Sequence, residues 1–257
     1  MHYMTAIYAV SIADCDRALN ELLLSKAIKD YCPNGLQVEG NRSIKKLVTG
    51  VSASLAFIEA AIAANADAVL VHHGLFWKGD IGSLTGWRRA RLAPVFRHGL
   101  SVFAFHLPLD MHPSLGNNAQ WGMRLGAQNL CVAPDEPLLM YGELPEAQRA
   151  LALREHIAKI TERKVLMLGM ENRPIKRLAW CTGGGQGYFE AAIDLGVDAF
   201  VTGEVSEQHT HLAHETGVVF FAAGHHATER YGVQAVGEAV AAKLGIAHQF
   251  IDIPNPV

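Results

Sequence analysis

Two adjacent histidines, His72 and His73, close the apolar stretch Val69-Leu70-Val71 and are followed by Gly74. Such a run ahead of a glycine predicts the end of a buried strand. Inside a continuing strand, neighbouring side chains point to opposite faces, so the two imidazoles could not converge. Where a strand ends and the chain turns, both can enter one crevice, and the carboxyl ends of strands are where α/β sheets usually bind ligands. Two more polar sets follow apolar runs: His106 with Asp110, and His225 and His226 with Glu229. Imidazole and carboxylate together suit zinc, iron, manganese or nickel better than calcium, which prefers oxygen alone. One histidine per ion from the adjacent pair, Asp110 on one ion, His225 on the other and Glu229 between them compose a dinuclear centre. Two divalent ions about 3.5–4 Å apart can share a water and lower its pKa towards neutrality, making it a nucleophile. His106 is either a further ligand or a residue that orients one, and the orienting role is preferred. His226 is expected to orient the substrate or a carboxylate. The plain alternative for His72-His73 is one packed and one exposed histidine.

The elements that would position these residues can be read in order. A helix is predicted from Asp14 or Asp16 to about residue 29, then a turn at Pro33-Asn34-Gly35 and an extended piece at 36–38. A strand over 46–51, a helix over 55–65 capped by Ser52 or Ser54, and a strand over 68–71 form a βαβ unit with a parallel, right-handed crossover. A loop over 76–85 leads to a basic helix over 88–97 containing Pro94, with its arginines on a solvated face. A third buried strand covers 100–105, and a helix runs from Asn117 or Asn118 to Leu125. Residues 127–173 hold a helix near 146–161 and a strand near 164–168. They are either a connection between halves or the divergent start of the second half.

The pattern then returns. An offset of 131 residues (59 to 190) lays Glu59-Ala60-Ala61-Ile62 on the identical Glu190-Ala191-Ala192-Ile193, Asp67-Ala68 on Asp198-Ala199, and Leu47 on Leu178. Further on, Gly99-Leu-Ser-Val-Phe-Ala-Phe parallels Gly217-Val-Val-Phe-Phe-Ala-Ala, and one inserted residue sets His106 and Asp110 over His225 and Glu229. Repetition of strand, helix, strand and polar motif in one order implies duplication of a βαβ unit. The expected fold is α/β with two pseudo-symmetric halves, 1–127 carrying His72, His73 and Asp110, and 128–257 carrying His225 and Glu229.

Composition narrows the classes. A chain of 257 residues, half of them apolar, with a net charge of −3, has ample core and no basic block to suggest nucleic acid. The four cysteines (Cys15, Cys32, Cys131, Cys181) have no C-x-x-C spacing, so neither a disulfide framework nor a thiolate zinc site is indicated. No apolar run reaches the roughly 18 residues of a membrane helix. Residues 1–13 lack the basic leader and cleavage site of a signal peptide. A cytoplasmic protein is expected. Among the weaker candidates, His209, His211 and His214 fall on one amphipathic helix and read as a hydrated surface cluster, although His211 and His214 have zinc-compatible spacing. The run Thr182-Gly183-Gly184-Gly185-Gln186-Gly187 could offer backbone N–H groups to an oxyanion or serve as a tight turn beside the metal site. It lacks the Walker lysine and does not spell G-x-G-x-x-G.

The motifs Pro33-Asn-Gly-Leu-Gln-Val38, Val71-His-His-Gly74, His106-Leu-Pro-Leu-Asp110, Gly116-Asn-Asn118, Cys181-Thr-Gly-Gly-Gly185, Val201-Thr-Gly-Glu204 and Gly224-His-His-Ala-Thr-Glu229 together resemble the Nif-three-like family, whose members are often labelled type 2 homologues of GTP cyclohydrolase I. The likeness runs from about residue 16 to Pro256 and leaves the first dozen residues outside. It implies two interlocked α/β halves, metal ligands at His72, His73, Asp110, His225 and Glu229, two divalent ions per chain, and a ring-shaped hexamer enclosing a cavity. Its label implies opening of the imidazole ring of GTP by metal-activated water. A phosphoester, an amide or another purine-type ring is an alternative target, since family does not fix substrate. A second reading of the whole chain is a non-catalytic metal store or interaction scaffold. A hydrolase needs an open coordination position and a cleft, for which Gly183, Gly184, Gly185 and Asn117 are candidates; a store needs only the ligands.

Overall fold

The computed structural model describes residues 8–79 and 82–257. Residues 1–7 of the apolar amino-terminal stretch and 80–81 of the loop after Phe76 lie outside the described residues. The chain divides into two compact units, one running to Leu109 and adding Val233–Pro254, the other Asp110–Gly232 with Asn255–Val257. The division does not coincide with 127/128. Helix Asn117–Arg124 packs on the strands of the second unit, and strand Ala247–Phe250 pairs with Lys46–Ser52 of the first.

The sheet of the first unit has the spatial order Gly35–Val38, Ser101–Ala104, Ala68–His73, Lys46–Ser52, Ala247–Phe250. All neighbours are parallel except the first pair. Helix Leu55–Ala63 connects two of these strands, as the sequence predicts. Ser54 caps it by accepting the Phe57 N–H at 3.2 Å, an arrangement worth about 1 kcal/mol. Phe57, Ile58 and Ala61 pack from this helix onto Val48, Val69, Val71 and Val102. Strand Ala68–His73 is covered on both faces, which is why it reads as an unbroken apolar run rather than an alternating one.

The sheet of the second unit has the order Gln128–Val132, Met140–Arg149, Pro174–Cys181, Ala199–Thr202, Val219–Ala222, Leu166–Leu168. The third to fifth strands are parallel and the flanking pairs antiparallel. Alternate residues feed two cores. Phe200 and Phe220 pack with Phe189 on one face, while Val201 and Phe221 pack with Trp121, Leu153 and Trp180 on the other. Residues 127–173 are therefore the start of the second sheet, not a connector. Backbone 146–149 belongs to a strand, where Gln148 and Arg149 face Ile175 and Pro174, so the helix predicted from 146 begins only at Ala150. The first helix ends earlier than predicted. It spans Ile12–Leu23 behind an N-cap at Ser11, and Leu24 stops it in a left-handed conformation. Among the described residues, no helix is long and apolar enough to cross a membrane.

The duplication is visible in register. Leu47 faces Ala68 in the first sheet and Leu178 faces Ala199 in the second, at the same offset. The two aspartates of the repeat do the same work. The Asp67 carboxylate accepts the N–H groups of Lys45 and Lys46 at 2.9 and 3.1 Å, and Asp198 accepts those of Lys176 and Arg177, both at 2.9 Å. Each aspartate returns its own N–H to the opposite strand, to Lys46 and Arg177, and each sits near one arginine, Arg42 at 3.7 Å and Arg173 at 3.5 Å. One carboxylate thus sets the start of both parallel strands in each copy. Asp198→Ala, which strands two N–H groups, is expected to cost about 1–3 kcal/mol, and Asp198→Asn less because a carbonyl acceptor remains. Urea denaturation followed by circular dichroism measures this; unchanged midpoints for the alanine variant would refute the clamp.

Candidate metal centre

In the first unit, the strand predicted to stop at Val71 continues through His73. Its pairing with Ser101–Ala104 nevertheless ends at Val71 opposite Ala104, and His73 keeps only the partner Ser52. With one ladder gone, the two histidines no longer diverge: their ring centroids are 4.6 Å apart. His72 is fully buried and its Nδ1 meets the Phe105 carbonyl at 3.1 Å. A carbonyl can only accept, so the proton resides on Nδ1 and the lone pair on Nε2. His73 Nδ1 lies 3.1 Å from Ser52 Oγ. His106 is also drawn in. Its Nδ1 meets Asp30 at 3.0 Å, and its backbone N–H donates to Asn34 Oδ1 at 2.7 Å. One ligand atom each from His72, His73 and His106 lies within 4.8 Å of the others.

Asp30 escaped the sequence reading. Burial alone would raise its pKa. Hydrogen bonds from His106, the Asn34 amide and the Leu107 N–H outweigh this and hold the carboxyl well below the usual carboxylate range. It also accepts the Tyr31 and Cys32 N–H groups. An aspartate just ahead of Pro33-Asn34-Gly35, able to fold back on the following N–H groups, was the available signal.

In the second unit, Asp110 ends the short helix Leu107–Asp110 and is 7% exposed. Asn117 Nδ2 donates to Asp110 Oδ1 at 2.9 Å, while Asn117 Oδ1 accepts the Gly232 N–H at 3.0 Å. Because Gly232 can only donate there, the amide must turn its NH₂ to the aspartate. His225 opens the single turn His225–Thr228 and Glu229 directly follows it. His225 Nε2 is 3.3 Å from Glu229 Oε2, and its Nδ1 is 2.6 Å from Glu204 Oε1. Gln186 Nε2 holds the other Glu204 oxygen at 3.1 Å. Burial opposes a charged imidazole, but Glu229 and Glu204 together prevail and raise His225 to about 9. Metal-free His225 is therefore an imidazolium donating from both nitrogens. A cation replacing the Nε2 proton would leave Glu204 on Nδ1, the carboxylate–histidine support common behind metal ligands. Glu204 was part of a quoted motif but had no assigned role.

The glycine run is a turn shaped around this pair. Gly183 has φ +66°, and a Cβ there would strike the Glu229 carboxylate and come within 3.1 Å of His225 Nε2. Its N–H is taken by Thr228 Oγ1 at 2.9 Å rather than offered to a ligand. The histidine cluster on helix Gln208–Thr216 resolves differently from expectation. His211 and His214 are exposed, but His209 is buried and stacks on Phe220 at 4.8 Å and 12°. His226 is buried and its N–H donates to the Val257 carbonyl.

The first unit thus gathers three histidines and the second holds buried Asp110 and Glu229 with His225, groups that could hold a metal; such N/O donors fit divalent transition ions or zinc. A raised folded-state pKa stabilises the fold below the ordinary value of 6.5, and that contribution is lost as pH rises through about 9. Metal-free protein is therefore expected to melt at lower temperature on going from pH 6.5 to 9.5, with a smaller drop in Glu204→Gln. NMR titration of His225 should place it lower in that variant; an identical titration would contradict the pairing.

Residues 10–256 match the Duf34/NIF3 (NGG1p interacting factor 3) family. Over 245 residues the chain is 51% identical to a Yersinia pestis protein named GTP cyclohydrolase 1 type 2 homolog, covering 95% of this chain and 98% of that one. A solved structure described as protein ybgI, unknown function, is 46% identical with a TM-score of 0.92, covering 96% of this chain and all of that one. A Thermus thermophilus protein of solved structure is 28% identical with a TM-score of 0.85, over 95% and 99% of the two chains. With the match spanning both sheets and all five candidate ligands, the chain belongs to the Duf34/NIF3 family.

Proposed function

We propose that the chain is a metal-dependent hydrolase in which His72, His73, Asp110, His225 and Glu229 hold two divalent ions, drawn from zinc, iron, manganese and nickel. The observation that carries this is the backing of the ligands. His225 has Glu204 at Nδ1, His72 has the Phe105 carbonyl, and Asp110 has the Asn117 amide, each turning its donor atom in a fixed direction. When bound, such a pair of ions supplies Lewis acidity and lowers the pKa of water towards neutrality. The chain supplies the rest. Glu204 retains the His225 Nδ1 proton, Asn117 orients Asp110, and Asp30 orients the His106 ring. GTP is the first substrate to assay, on the strength of the relatives' name, followed by other nucleotides, phosphoesters and small amides.

A second reading, a metal store or scaffold, is favoured by the depth of the ligands: His72 is fully buried, and Glu229 and Asp110 are 3% and 7% exposed. A ring-shaped homohexamer in the cytoplasm is the assembly that accords with the family resemblance and with four free cysteines.

Elemental analysis of metal-replete protein is expected to find two ions per chain. Glu229→Ala should lower the content of both, since a shared anion neutralises two charges, whereas His72→Ala or His73→Ala should weaken mainly one. Equal losses in all three folded variants would remove the bridging role. Turnover should disappear on chelation, return with zinc, manganese or iron, and vanish in Asp110→Asn at matched metal loading. Product release at the same slow rate by wild type and Asp110→Asn, for every substrate, would favour the store over the enzyme.

A further inference from the structure

The first unit carries two aromatic rings beside its histidine cluster that the metal-holding reading leaves without a task. Tyr31 directly follows Asp30 and is 54% exposed, although it stands edge-on to buried His106 with centroids 4.9 Å apart at 69°. Trp77 is half-buried, edge-on to the same imidazole at 5.1 Å and 82°, and 5.9 Å from His73. The two rings are 5.8 Å apart and inclined at 32°. Their backbone is held firmly. The Tyr31 N–H donates to the Asp30 carboxylate at 2.7 Å, and the Tyr31 carbonyl accepts the Lys78 N–H at 2.7 Å. The network that fixes His106 therefore also fixes the wall beside it. A tyrosine kept for core packing would be covered. An aromatic side chain more than half exposed and bordered by imidazoles offers stacking surface with polar groups at its edge.

The geometry points to Tyr31 and Trp77 as a recognition wall that stacks a planar nitrogen heteroaromatic ring of the substrate, its polar rim meeting His73 and His106. This rests on the metal-holding reading and adds the substrate class to it. A heteroaromatic ring has apolar faces to cover Tyr31 and nitrogen donors and acceptors around its rim, whereas a bare phosphoester or a small aliphatic amide has no face to stack. Truncating an aromatic that stacks on a base typically weakens binding by about 5- to 150-fold.

Equilibrium dialysis of the full-length, metal-treated protein tests this with guanosine and GTP as ring-bearing probes, and ribose 5-phosphate and triphosphate as ringless ones. Ring-bearing probes are expected to bind at least about tenfold more tightly than ringless ones. Tyr31→Ala and Trp77→Ala should weaken them by about 5- to 150-fold with the ion content of the wild type, and Tyr31→Phe should keep full affinity because stacking requires the ring. Tyr31→Leu keeps apolar bulk without a π-face, so it guards against a folding defect in the alanine variant and should also bind weakly. Equal affinity for ring-bearing and ringless probes, no guanosine binding by the wild type, or full affinity in Tyr31→Leu would each overturn the wall. Failure of the metal reading is scored separately, by ion content on the same samples, and guanosine binding is measured whatever that content is.

Discussion

An imidazole wholly or partly withdrawn from water is tolerable only if the place of its proton is fixed, and this constraint organises what surrounds the candidate ligands. His72 satisfies it with a main-chain carbonyl, His73 with a serine hydroxyl, His106 with Asp30 and His225 with Glu204. Each partner is delivered by a different element, so within each unit those elements have to end beside their histidine. Strand Ser101–Ala104 must stop where Phe105 can present its carbonyl, and the Pro33-Asn34-Gly35 turn must hold Asp30 and Asn34 against His106. The sheets are built to bring strand ends to these partners.

The two copies of the βαβ unit solve the problem in different ways. At the repeat offset, His73 corresponds to Glu204: the same strand-end position carries a candidate ligand in one copy and, in the other, the carboxylate that supports one. His106 and His225 are the matching histidines, and both are backed by a carboxylate, but Asp30 comes from far upstream whereas Glu204 comes from the strand end itself. Duplication supplied the scaffold, with its paired clamps Asp67 and Asp198, and divergence redistributed ligand and support over it.

This explains what was legible in sequence. The parallel strands were readable because burial on both faces leaves an uninterrupted apolar run, and Ser54 announced its helix. The three polar sets stood out because they end such runs. Asp30 and Glu204 did not, since a supporting carboxylate is defined by a partner 76 or 21 residues away and has no spacing rule of its own. The strand through Glu146 and Gln148 was missed because its residues favour helix, and only pairing with Ile175 and Pro174 overrides that preference. His209 could have been separated from His211 and His214: it shares a helical face with the buried Ala213 four residues on, and burial follows that face.

The glycine run shows the same logic at its tightest. A phosphate-gripping turn would leave its N–H groups pointing into open space, but the Gly183 N–H is taken by Thr228, and the missing Cβ at Gly183 is the room that Glu229 occupies. The turn lies over Glu229, leaving it 3% exposed beside His225. A carboxylate so removed from water interacts more strongly with any cation near it. Without metal, the His225 imidazolium meets that demand, and Glu229 and Glu204 together raise it to about 9. A divalent ion would deliver twice the charge to the same oxygens and would have to displace the His225 Nε2 proton. Any cation at His225 and Glu229 would therefore compete with a proton that Gly183, by drawing the turn close, helps to hold.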